Sequence, residues 1–100
     1  MVRGERYILC SAIHFDDGKK HVHVPVNIKS GYVVCGRRHH DCFYTCGTLD
    51  PDLKYLKFEK EQGFVTNDNH FVTREAAAEI ALASGQIKEE KIRLFSEDLY

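Results

Sequence analysis

Apolar positions along the chain first alternate and then recur at helical spacing, and the change is clearest over residues 62–86, QGFVTNDNHFVTREAAAEIALASGQ. Phe64-Val65-Thr66 reads as a strand, Asn67-Asp68-Asn69-His70 as a tight polar turn, and Phe71-Val72 as the returning strand. Thr73 then has the chemistry of an N-cap, with Glu75 near the positive end of the helix that follows. The run from Arg74 to Ser84 is rich in strong helix formers and places Ala77, Ile80, Ala81 and Ser84 on one face, and Gly85 supplies the C′ residue. The pattern predicts a hairpin that passes directly into an amphipathic helix over about 74–84.

Upstream, residues 6–15 open with a β-prone run, and Asp16-Asp17-Gly18-Lys19 marks a turn. Residues 21–26 alternate, valines on one face and His21 and His23 on the other, with Pro25 suited to an edge strand. Tyr32-Val33-Val34-Cys35 reads as a third, well-buried strand, so the first half predicts a three-stranded antiparallel meander. A short helix is expected over about 39–46, ended by Gly47, with Cys42 and Cys46 on one of its faces. Alternation over residues 55–61 predicts a strand, and Arg93-Leu94-Phe95 a last short one before a tail whose Leu99 and Tyr100 call for docking. These elements make an α+β fold: one small domain spanning 1–100, an antiparallel sheet of meander plus hairpin, one main helix and one short helix.

Composition narrows what such a domain does. Fourteen basic residues against fifteen acidic ones leave a formal charge of −1, which argues against a general nucleic-acid coat, although not against a local basic pocket. No apolar run has the length of a membrane span and no signal pattern opens the chain, so the cytosol is the expected location. There Cys10, Cys35, Cys42 and Cys46 are expected as reduced thiols, Cys10 and Cys35 as small buried hydrophobes.

Arg37-Arg38-His39-His40-Asp41 is the densest polar cluster, set between a strand and a helix start. Guanidinium forks and helix N-termini both favour phosphate, so a phosphorylated small ligand fits it; a solvated loop carrying ordinary surface charge accounts for it as well. Zinc held by Cys35, His39, His40, Cys42 and Cys46 lacks paired Cys-x-x-Cys knuckles, so no metal is expected. Cys42 with His39 or His40 would need an orienting third group and an oxyanion site that the sequence does not place.

Beyond these residue-level readings, the chain resembles a widespread family of small phage-encoded proteins. The resemblance rests on Gly36-Arg37-Arg38-His39-His40-Asp41 with its preceding strand, on Gln62-Gly63-Phe64-Val65, on Phe71-Val72-Thr73-Arg74-Glu75-Ala76, on Gly85-Gln86-Ile87, and on the ending Leu94 to Tyr100. Some members resemble anti-defence sponges, which bind cyclic nucleotide immune signals of CBASS or Thoeris systems without cleaving them. That resemblance implies ligand contacts from Arg38, His39, Arg74, Glu75, Gln86, Ser96, Glu97 and Tyr100, to which the polar cluster adds Arg37 and His40. His40 stands where the family pattern often has an aromatic residue, and Cys42 and Cys46 stand where it often lacks cysteine, so the resemblance supports neither zinc nor a cysteine enzyme. The expectation is a non-catalytic binder of a cyclic nucleotide, without a cofactor, walled by a homo-oligomeric interface because so short a chain encloses little volume. The alternatives are an inhibitor that binds a host defence protein through a sheet edge and, third, a small nucleotide hydrolase using His39 or His40.

Overall fold

The computed structural model describes residues 6–99. It contains β1 (Ile8–Phe15), β2 (Tyr32–Gly36), α1 (His39–Leu49), β3 (Glu59–Thr66), β4 (Phe71–Thr73) and α2 (Arg74–Ala83), with 3-10 turns at Lys54–Phe58 and Ser96–Asp98. The sheet runs β2-β1-β3-β4 and every pairing is antiparallel, which is the expected α+β architecture.

Both helices lie on one face of the sheet. Ile13 and Phe15 pack with Cys42 and Cys46 of α1, while Ile8, Phe64 and Val72 pack with Ala77, Ala78 and Ala81 of α2. Strict alternation would put Ile8 on the opposite face from Ile13. A register irregularity between Ile8 and Cys10 inserts Leu9 as the extra residue and returns Ile8 to the helix side. On the other face, Ala12, Val65 and Phe71 gather with Cys10, Ile28 and Val33.

That second face is covered by residues 16–31, where the expected strand over 21–26 does not form. The segment has no ladder, Val22 and Val26 point outward, and the edge role read from Pro25 falls to buried packing instead. Asn27 fastens it: its side chain accepts from Phe71 N (2.8 Å) and donates to Phe71 O (2.7 Å), while Val26 N donates to Asn69 O. One side-chain amide thus satisfies the open edge of β4, which a strand would otherwise have paired.

β2 therefore pairs directly with β1, and it is an edge strand of intermediate burial rather than a well-buried one. α1 runs past Gly47 to Leu49, because the break comes at Asp50, which precedes Pro51 and is disfavoured in helical geometry. The strand expected over 55–61 begins only at Glu59, after a 3-10 turn that buries Tyr55. Residues 93–95 form no strand; Leu94 is fully buried and its N–H donates to Arg74 O, so the tail docks on its own domain through one plug.

Candidate functional site

The site grows from the helix starts, which the sheet brings together. Asp41 at the third position of α1 accepts from Arg38 N (3.1 Å), closing the first turn and fixing where His39 enters. His39 is buried and its Nε2–H donates to Gly63 O at 2.7 Å, with its ring edge-on to Phe64. Gly63 has to be glycine because β4 lies so close: a Cβ there would lie 2.1 Å from Val72 O.

Across from His39, Thr73 caps α2 by accepting from Ala76 N, which sets Arg74 at the first helical position. The Arg74 guanidinium donates to His39 Nδ1 (3.3 Å), Gln62 Oε1 (3.0 Å) and Leu94 O (3.0 Å). Its carbon also sits 4.7 Å from the centroid of Phe95, a cation–π contact. An acceptor at Nδ1 and a donor at Nε2 define His39 as the neutral Nε2–H tautomer. Burial, and after it the Arg74 charge, hold its pKa below the ordinary histidine range, with the Gly63 bond opposing. Arg74 is itself lowered by burial and by Arg93, with Glu75 and Glu97 pulling the other way. Glu75 and Arg93 pair at 3.6 Å on the exposed rim.

Of the residues picked out in the sequence, His39, Arg74, Glu75 and Glu97 fall in one neighbourhood, and Arg37, Arg38 and His40 are exposed on either side of His39. Ser96 follows Phe95 in the last 3-10 turn, where Asp98 accepts from Phe95 N. Gln86 lies elsewhere: its amide accepts from Ile8 N (2.7 Å) and donates to Ile8 O (2.8 Å), tying the exit of α2 to β1. Tyr100 lies outside the described residues. Gln62 and Phe95 are partners of Arg74 that residue-level reading did not single out; the Gln62-Gly63-Phe64 run carried the only signal for the first.

The cysteines separate by location. Cys42 is 0% exposed, with its thiol pushed up to about 12, chiefly by burial, and the Cys46 thiol is raised for the same reason. Both pack against Ile13 and Phe15 of the sheet. Cys35 was expected inside and is exposed. Among the described residues no three of His, Cys, Asp or Glu converge as a metal site, and no helix is long and apolar enough to cross a membrane.

No curated protein matches the chain. No solved structure matches it either. A family model does match, over residues 7–100, and its description is phage T4 y16D protein. By that match, which takes in both helix starts, the Arg74 cluster and the docked tail, the chain belongs to the phage T4 y16D protein family.

Proposed function

We propose that this protein binds and holds an anionic cyclic nucleotide, without cleaving it, over the surface where Arg74, Phe95 and the start of α1 meet. The observation that carries the reading is the Arg74 guanidinium. It is locked by three hydrogen bonds and laid against Phe95, whose ring is 45% exposed and offers a stacking face beside a fixed positive charge. Exposed Arg37, Arg38 and His40 flank His39, the partner of Arg74, in the chain and suit phosphate oxygens.

Catalysis has little to work with here. His39 has both ring nitrogens engaged by the protein, and the Cys42 thiol is held protonated. Sequestration fits these residues better than turnover. In a phage protein such sequestration would oppose a host immune signal in the host cytoplasm, as the sponge resemblance implies. Phe95 is 45% exposed, and a second copy of the chain would supply the wall that so small a domain lacks there.

Incubation with a panel of cyclic nucleotides, followed by removal of unbound ligand and heat release, tests the reading. Intact ligand recovered from the wild type, and not from Arg74→Ala, supports it. Recovery of cleaved ligand overturns it, and so does the absence of any thermal shift with every cyclic nucleotide tested. Stoichiometric capture of a host protein with no small molecule bound would instead favour the inhibitor reading, whose sheet edge would be β2 rather than residues 21–26.

A further inference from the structure

The two faces of the sheet treat the four cysteines differently, and one pair has the makings of a reactive site. On β1, Cys10, Ala12 and His14 alternate onto the face away from the helices, and on β2, Val33 and Cys35 do the same. Cys35 is the register partner of Ala12, so Cys10 is its diagonal neighbour on that face. Both side chains therefore sit side by side on the face away from the helices.

Three features make this pair different from Cys42 and Cys46. Cys35 is exposed on an edge strand and lines a groove of about 400 Å³ with His23, Pro25, Val33 and Asn69, so a small oxidant reaches it. Cys10, its diagonal neighbour, is half-buried and less open to reagents than Cys35. The β1 backbone is irregular between Ile8 and Cys10, and β2 has a strand on one side only, so both can shift as the sulfurs close to bonding distance.

We propose that Cys35 and Cys10 form a peroxide-responsive dithiol site, with Cys35 the attacking thiolate and Cys10 the resolving thiol. The Cys35 sulfur attacks the O–O bond of a hydroperoxide, becomes a sulfenic acid and releases one water or alcohol. Cys10 then attacks that sulfur, loses its proton and expels a second water. Two thiols are oxidised to one disulfide and the peroxide takes both electrons. The division of roles follows from exposure, since Cys35 opens onto the groove and Cys10 is half-buried; the neighbouring Cys10 thiol also lowers the Cys35 pKa to about 7, while that of Cys10 is raised. The disulfide would close a ring around the loop that covers this face.

The test treats the full chain with stoichiometric hydrogen peroxide and maps peptides without reduction. The expected result is loss of two hydrogens and a Cys10–Cys35 linked peptide. Cys35→Ser should leave the remaining thiols unoxidised, and Cys10→Ser should leave a sulfenic acid on Cys35 that dimedone traps. Iodoacetamide at neutral pH should label Cys35 at least about tenfold faster than Cys42 or Cys46 in the wild type. A different linkage, a crosslink between two chains, no linkage at all, or peroxide consumption unchanged in Cys35→Ser would each overturn the proposal.

Discussion

At the scale of single residues, the site depends on Arg74, Gly63 and His39, whose options are closed by their neighbours. Arg74 shares its donors among His39, Gln62 and Leu94, so Arg74→Ala leaves three acceptors without their partner and should cost about 2 kcal/mol or more in a denaturant titration. Arg74→Lys keeps the charge and loses the fork, and should recover little of that stability. Gly63→Ala should destabilise by at least about 1–3 kcal/mol, since the new methyl meets Val72 O and the His39 acceptor must move with it. His39 gives a pH signature. Its folded pKa lies below the unfolded value of about 6.5, so the unfolded chain takes up a proton that the folded chain refuses. Its contribution is fully present above that value and declines as pH falls towards the folded pKa. Thermal melts from pH 7.5 downward should show the decline in the wild type and a flatter profile in His39→Gln.

At the scale of elements, side-chain amides hold together what the backbone ladders leave open. Gln86 fastens the exit of α2 to β1 and Asn27 fastens the covering loop to β4. Gln86→Ala should therefore speed hydrogen exchange at Ile8 and lower stability by about 1–2 kcal/mol, with little change in ligand affinity. The hairpin, α2 and the Thr73 cap were all legible in the sequence, because turn chemistry, capping and apolar spacing are local and agreed. The loop over 16–31 was not, since alternation in 21–26 looks the same whether the segment pairs as a strand or lies across a face. What decided it was the Asn27 amide taking the β4 edge, a contact 44 residues away in the chain. Of the site, the resemblance grouped Arg74, His39 and Gln86; Arg74 and His39 do meet, whereas Gln86 carries the same motif signal and braces β1. A motif marks both kinds of residue alike, and only tertiary placement separates them.

At the scale of the molecule, helices cover one face of the sheet and a loop covers the other, and the helix starts gather the cations where the tail comes to rest. That placement joins a buried neutral histidine, a locked guanidinium and a part-exposed aromatic ring, and exposed Arg37, Arg38 and His40 flank that histidine in the chain. The central claim is that this surface holds a cyclic nucleotide and returns it intact. Calorimetric titration of cyclic dinucleotides into the wild type and into Arg74→Ala, with chromatography of the heat-released ligand, tests it most directly. Saturable binding to the wild type, affinity at least about tenfold weaker in Arg74→Ala (about 1.4 kcal/mol) and unaltered ligand at the end are the expected results. Equal affinity in the two proteins, or a cleaved product, would contradict it.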